Sequence, residues 1–470
     1  MTAPSDPPTA PRRALVTGAS GYLGGLLTPR LLEQGWAVRV LTRRRSGIAG
    51  AVWAPRVEVV EGDAGSDRDL DRALDGVTVA YYLVHSMEGG DFVTRDRELA
   101  QAFAAAAERA GVQRIVYLGG LHPQGEPLSP HMASREEVGR ILLESRVPTA
   151  VLQAAVVLGD GSASFDMLRY LAGRLPAMIA PRWLDNRLQP VAADDAVRAL
   201  AGAATLPAEV DRAFDIGGPD VLTYRELLQR YAAVTGLRRR LVVTVPVLTP
   251  RLASHWVGLV TPVPAPLAKP LVESLVHDAV CRDRDLEDHL DAPLSTGVDE
   301  AIRQAMRTAP ADTGPRNLAV CLGAVGAAAV LGGLATQPDS RWYAALDKPS
   351  WQPPQWAFPV AWSGLYAGLA LASAATLTEL DRDGEHERAA AYRVAFACNL
   401  AVNAGWSAVF FRGRRLGLAT AVASGLAASS ADLARRAGTT RRRRGAALGA
   451  YAAWCGFATA LSGELARRNR

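Results

Sequence analysis

Two groups of residues in this chain have types and spacings suited to chemistry. The first is Thr17-Gly18-Ala19-Ser20-Gly21-Tyr22-Leu23-Gly24, entered from the apolar run Ala14 to Thr17 and left through Leu26, Leu27, Leu31 and Leu32 at helical spacing. Strand, glycine turn and helix in that order turn backbone N–H groups at a helix N-terminus toward a pyrophosphate. Gly18 permits the tight turn, Gly21 lets the amides approach, and Gly24 lets helix and strand pack closely. The second group follows the next strand, Ala37 to Thr42, where Arg43-Arg44-Arg45 stands in place of the acid that would bind a ribose 2′-hydroxyl. Guanidinium groups suit a 2′-phosphate, so the expected cofactor is NADP(H) in preference to NAD(H), with plain solvation of the arginines as the competing reading.

Further strands must position these groups. Val57 to Val60 ends in Gly62-Asp63-Ala64, Val77 to Val84 ends in His85, Arg114 to Leu118 ends in Gly119-Gly120, and Thr149 to Leu152 follows. Strands alternating with helices predict an α/β Rossmann-type doubly wound parallel sheet. Asp63 and Ala64 at one strand end, and Leu83, Val84 and His85 at another, would line the dinucleotide crevice. The expected organisation is a flexible N-terminus over 1–11, a nucleotide-binding domain over 12–155, its substrate side over 156–305 and a linker over 306–315. Gly159, Ser162, Phe165, Arg182 and Trp183 are candidate substrate contacts or loop packing. Leu241 to Val276 is apolar but interrupted by six prolines, which excludes a spanning helix; Leu252, Trp256, Val257 and Leu259 hint at a membrane surface, and packing on the sheet is the simpler account.

Averages conceal the rest. Net charge is +5 over 470 residues, and mean hydropathy is +0.05. Residues from Arg316 onward hold 18 Lys and Arg against 9 Asp and Glu, leaving 34 against 38 before them, and six of the ten tryptophans fall in that last third. The basic charge sits in short runs such as Arg441 to Arg444 between apolar stretches, so nucleic acid is not an expected partner. Cys281, Cys321, Cys398 and Cys455 have no Cys-x-x-Cys or Cys/His spacing, which disfavours both a disulfide scaffold and a metal site. Met1 to Pro8 has no apolar core of a cleavable signal.

Leu318 to Thr336, Trp356 to Thr378, Val394 to Phe411, Leu416 to Ala431 and Gly445 to Gly463 contain no charge, which predicts an all-α transmembrane bundle of five spans over 316–466, the fourth marginal in length. Phe358, Trp362 and Tyr366 share one face, Asn399, Asn403, Trp406 and Phe410 another, and Tyr451, Trp454, Ala458 and Leu461 a third. Asparagines in lipid point inward, toward either a ligand or each other's helices. Trp351 and Trp356 could anchor the interface.

Residues 12 to 305 resemble the atypical, extended short-chain dehydrogenase/reductase family and its NmrA-like relatives, through Thr17-Gly-x-x-Gly-x-x-Gly24, Gly62-Asp63, Leu83-Val84-His85, Ser134-Arg135, Gln189-Pro190-Val191 and Phe214 to Pro219. That resemblance implies a catalytic Tyr and, four residues on, a Lys; here the positions read His131 and Arg135, which would act as general acid and as holder of the cofactor ribose or a substrate anion, and the upstream serine position reads Gly119-Gly120. Dehydrogenase turnover through His131 and nucleotide binding without turnover both remain open. Residues 316 to 466 resemble the translocator protein family, also called tryptophan-rich sensory proteins, through Trp342-Tyr-x-x-Leu-x-Lys-Pro-x-Trp-x-Pro-Pro354, Phe358 to Tyr366, Asn399 to Phe411 and Tyr451-x-x-Trp-x-x-Phe-Ala458. The resemblance implies five membrane helices, often dimeric, and a porphyrin, haem or other flat apolar ligand near Trp351, Trp362, Tyr366, Asn399, Asn403 and Trp454. The chain departs from that pattern at Ala450 and Ser462, and lacks the sterol-binding motif of animal members.

Ten arginines near the spans on the side of the first section, against eight Lys and Arg on the other, weakly favour a cytoplasmic first section. The expectation is a multi-pass protein of a bacterial inner membrane in which nucleotide state is coupled to sensing a hydrophobic ligand. A reductase or isomerase fed from the membrane is the alternative, and a tetrapyrrole transporter a third reading.

Overall fold

Short β-branched and aliphatic runs that are apolar on both sides form strands only where helices cover both faces. In a computed structural model, describing residues 12–84, 92–123, 125, 127–245, 257, 260–263 and 265–470, seven such strands make one parallel sheet. The strands of the first unit are β1 Arg13–Thr17, β2 Ala37–Thr42, β3 Glu58–Glu61, β4 Val79–Tyr82, β5 Arg114–Gly120, β6 Thr149–Ala154, β7 Val157–Leu158, β8 Ala177–Pro181, β9 Arg187–Leu188, β10 Val191–Ala192, β11 Arg212–Ile216, β12 Leu222–Thr223 and β13 Leu241–Val245. The main sheet runs β3-β2-β1-β4-β5-β6-β11, and its order reverses between β1 and β4. At that point the crossovers leave to opposite faces and open a crevice at the carboxyl ends of the strands. Helices α1 (Tyr22–Glu33) and α6 (Ala193–Gly202) pack with one core cluster, and α2 (Asp67–Leu74), α3 (Phe92–Arg109) and α4 (Pro130–Leu143) with another. Residues 1–11, His85, Leu252, Trp256 and Leu259 lie outside the described residues.

A second core in the same unit gathers α5 (Ala163–Arg174), α7 (Tyr224–Val234), the helix Val298–Thr308 and three two-stranded pairings: β7 with β10, β9 with β12 and β8 with β13. Phe165, proposed above as a substrate contact or packing residue, is fully buried here against Tyr231 at 6.1 Å.

The chain divides into two compact units, Met1–Ala309 and Pro310–Arg470. The second holds five long helices among the described residues: Gly314–Ala335, Ala357–Arg382, His386–Ser407 (continued by a wider turn, Ala408–Arg412), Leu416–Thr440 and Arg442–Arg468. The first four are long and apolar enough to cross a membrane. The fourth, marginal by its uncharged length, reaches 25 residues because helix continues through Asp432, Arg435 and Arg436. The fifth, at 27 residues, is long enough, but Gly, Ala, Tyr, Trp and Ser dilute its aliphatic content. Val320, Val330, Leu331, Leu334, Val360, Leu371 and Val394 are exposed on the outside of this unit. That arrangement is unfavourable in water and favourable in hydrocarbon. At one end of the bundle Glu379 meets Arg441 at 3.1 Å and Arg444 at 2.6 Å, and Asp381 meets Arg393 at 2.7 Å and the Asn317 amide at 3.0 Å.

Candidate functional site

The glycine turn has the backbone its spacing implies. Gly18 sits at φ +74°, and a Cβ there would lie 2.4 Å from the Leu83 carbonyl oxygen, so the turn can close on β4 only without a side chain. A Cβ on Gly24 would come within 2.4 Å of the Gly18 carbonyl oxygen, so α1 leaves the turn in contact with it. Gly21 caps α1, and no side chain bonds the helix's first N–H groups. These orphan donors, together with the helix dipole, form an anion site.

The turn is one wall of a cleft of about 1070 Å³. Gly18, Ser20, Gly21, Tyr22, Leu23, Gly24, Arg43, Arg44, Asp63, Ala64, Leu83 and Val84 all line it, as do His131 and Arg135. Arg45 is drawn away, donating to the Val59 carbonyl at 3.2 Å and lying 3.9 Å from Glu61. Arg43 and Arg44 are exposed, line the cleft and have no ion pair among the described residues. The Asp63 carboxylate accepts the Gly65 N–H at 2.9 Å, which holds it at the carboxyl end of β3. Tyr22 crosses from the turn to the far wall, where a Cβ on Gly159 would strike its hydroxyl at 2.2 Å. Burial first, then Asp160, Asp194 and Asp166, hold its phenol well above the ordinary range, so at neutral pH it is a neutral hydrogen-bonding group.

Ser129 caps α4 by accepting the Met132 N–H at 3.3 Å, and this sets His131 in the first turn of the helix. One turn later Arg135 donates to the Leu118 carbonyl at 2.5 Å, while Tyr117 donates to the Arg135 carbonyl at 3.2 Å. Gly119 and Gly120 lie beside this pair, and a Cβ on Gly120 would meet Arg135 Nε at 3.6 Å, an ordinary van der Waals contact. A fixed cation and an imidazole thus stand one helical turn apart in the middle of the cleft.

The far end carries aliphatic and aromatic side chains, Leu188, Leu267, Leu271 and Leu275 with Trp183 and Tyr224, and the same segments add Asn186, Arg187, Ser274 and His277 to the lining. Trp183 Nε1 and the Tyr224 hydroxyl are buried without a hydrogen-bond partner among the described residues. Ser162 also lines the cleft, whereas Arg182 does not. Beside it, the buried Asp215 carboxylate grips the Arg282 backbone and guanidinium at 2.9 and 2.7 Å, Arg282 donates to Gln153 Oε1 at 2.7 Å, and the Gln153 amide meets His122 at 3.2 Å. Burial pushes the neighbouring Cys281 thiol up to about 12.

In the second unit the amides and phenols meet each other. Tyr366 donates to Asn403 Oδ1 at 2.6 Å, Asn403 donates to the Tyr451 hydroxyl at 3.1 Å, Tyr451 donates to Asn399 Oδ1 at 3.1 Å, and Asn399 donates to Ser430 Oγ at 3.0 Å. Four of the long helices are tied by this one chain. Aromatic rings stack over it: Trp362 lies 5.1 Å from Tyr366 and 6.1 Å from Tyr451. Trp454 packs on Phe358 at 6.2 Å and Phe457 at 5.4 Å, and the half-exposed Trp351 reaches Phe457 at 5.8 Å.

Comparison with known proteins separates along the same boundary. Residues 18–157 match the family described as NAD(P)H-binding, and residues 319–468 match the TspO/MBR family. Ceramide reductase of Caulobacter vibrioides is 30% identical over 234 residues, 48% of this chain and 72% of that protein. The human translocator protein is 34% identical over 125 residues, 26% of this chain and 71% of that protein. The chain belongs to both families. In fold, its first unit is similar to triphenylmethane reductase of Citrobacter sp. complexed with NADP(H), with a TM-score of 0.50 and 21% identity over 63% of this chain and 99% of that one. The fusion is therefore a membrane protein with a nicotinamide-nucleotide-binding, reductase-like domain and a tryptophan-rich sensory domain.

Sequence reasoning did not assign Tyr451 to the amide cluster, nor did it find the Asp215–Arg282–Gln153–His122 chain or the unpartnered donors of Trp183 and Tyr224. Tyr451 shares a helical face with Trp454, which was the available signal. The others come from segments as far as 129 residues apart and carry no local pattern.

Proposed function

We propose that the first unit of this fusion is an NADP(H)-dependent reductase acting on a hydrophobic carbonyl compound, and that the membrane unit binds flat apolar ligands such as tetrapyrroles. The observation that carries the reading is a single cleft lined by the glycine turn, by Arg43 and Arg44, by His131 and Arg135, and by the aliphatic and aromatic side chains of the far end. The bound nucleotide would supply a hydride to the carbonyl carbon. Gly18, Gly21 and the α1 N-terminus would hold its pyrophosphate, and Arg43 with Arg44 its 2′-phosphate. His131 would deliver a proton to the substrate oxygen while Arg135, anchored on Leu118, stabilises the developing negative charge. The reductase relatives and the NADP(H) bound to a protein of like fold support this assignment.

A specific observation favours a second reading, nucleotide-coupled sensing without turnover: the Tyr and Lys expected for proton transfer are His131 and Arg135. In the membrane unit, the rings of Trp351, Trp362 and Trp454 would face the ligand. Asn399, Asn403 and Tyr366 would brace them from behind, since their polar atoms already have partners. Dimerisation through this unit, a bacterial inner-membrane location and a cytoplasmic first unit belong to the same reading, because NADPH is available on that side.

The test uses full-length protein in detergent, following NADPH fluorescence and porphyrin absorbance together. Arg43→Ala with Arg44→Ala should weaken NADPH binding about 10- to 100-fold and leave NADH binding nearly unchanged. Equal loss for both nucleotides would overturn the 2′-phosphate assignment. His131→Ala should cut NADPH consumption about 100-fold at unchanged NADPH affinity; binding without consumption in the parent protein would leave the sensing reading. Porphyrin affinity unchanged by Trp362→Ala with Trp454→Ala would remove the membrane-site assignment.

A further inference from the structure

A water-facing strand pair should alternate apolar and polar residues. β8 and β13 do not. They pair in parallel with Leu241 opposite Ala177, Val242 opposite Met178 and Val243 opposite Ile179. Met178 and Ala180 turn into the second core, while Ile179, Leu241 and Val243 are 65%, 63% and 50% exposed on the outer face. The residues leading into β13 extend the patch: Leu237, Arg238 and Arg239 are exposed, and neither arginine has an ion pair among the described residues. Aliphatic side chains beside unpaired arginines are the composition of a surface that seats in the headgroup region of an anionic bilayer.

The chain itself supplies that bilayer. Only residues 309–313 separate the helix Val298–Thr308 from the membrane helix Gly314–Ala335, and five extended residues reach at most about 17 Å. We propose that the outer face of β8 and β13, with Arg238 and Arg239, docks on an anionic lipid surface and holds the reductase-like unit against it. Trp183, four residues beyond Ile179, lines the far end of the cleft, so the docked face adjoins the end at which a hydrophobic substrate would enter. The docking does not depend on the reductase reading, and its test does not use turnover.

The experiment places an environment-sensitive fluorophore on Val243→Cys, Ile179→Cys and, as control, Val52→Cys, which is 96% exposed in the same unit. All are made in full-length Cys398→Ser protein in nanodiscs containing phosphatidylglycerol, with NADPH binding as the check on folding. Labels at 243 and 179 should be quenched by lipids bearing doxyl groups on their tails at least about threefold more than the label at 52. Arg238→Glu with Arg239→Glu should remove more than about half of that quenching. Quenching equal to that at 52 overturns the proposal. So does shielding from aqueous quenchers without tail quenching, which would mean that residues 246–256 or a second copy covers the face.

Discussion

Around the cleft of the first unit, polar groups are left facing the cleft without a side-chain partner among the described residues: the α1 amides, Arg43 and Arg44. In the membrane unit, groups of comparable polarity face one another, from Tyr366 through Asn403, Tyr451 and Asn399 to Ser430. Solvent explains the difference. In water an unpaired donor is satisfied until a ligand displaces that water, so a site can be stored as unpaired groups. In hydrocarbon the same donor has no partner and must find one within the bundle. On the proposed reading, specificity in the first unit would rest on what the walls withhold from one another, and in the second on rings held by an already satisfied polar frame.

The comparison can be broken at its ends. The largest effect is expected at Gly18: Gly18→Val should abolish nucleotide binding and cost about 3 kcal/mol or more, because the φ of +74° and the Leu83 carbonyl leave no place for a Cβ. Chemical denaturation and NADPH titration read both. Asp215→Ala should cost about 2 kcal/mol in the same denaturation, short of a fully buried pair because Arg282 is 40% exposed. Asn403→Leu should cost about 1 to 2 kcal/mol in the membrane unit by stranding the Tyr366 hydroxyl and removing the donor to Tyr451, which keeps its bond to Asn399, measured by unfolding in mixed micelles. A neutral outcome there would mean that the frame is not what holds the rings. The smallest effect concerns Cys281. With its thiol raised to about 12, the contribution to stability is complete below the unfolded pKa of about 8.5 and is lost as pH rises through about 12. Iodoacetamide should accordingly leave Cys281 unmodified at pH 8 in the folded protein.

Much of the fold was legible in short segments. β1 and α1 follow from Ala14 to Leu32 alone, because a buried parallel strand, a glycine turn and an amphipathic helix each leave a local period. β11 escaped as a strand: Arg212 to Ile216 is five residues with charges at two of them, and only its parallel pairing with β6 identifies it. Five long helices were legible from charge-free runs, four of them apolar enough to cross a membrane, yet the weaker helix was misplaced. Length made the fourth look marginal, whereas composition makes the fifth the less apolar.

Residue type and spacing by themselves determined that a glycine turn between strand and helix and a cationic strand end exist in this protein, and that aromatic and amide faces lie on apolar helices. These are properties of neighbours in the chain. Only the tertiary structure decided that Arg45 leaves the cleft while Arg43 and Arg44 stay, that Arg135 is anchored on Leu118, and that the asparagines bond to tyrosines. Each of those outcomes depends on which atoms, tens of residues away, arrive within about 3 Å, a distance at which hydrogen bonds form and which no local pattern encodes.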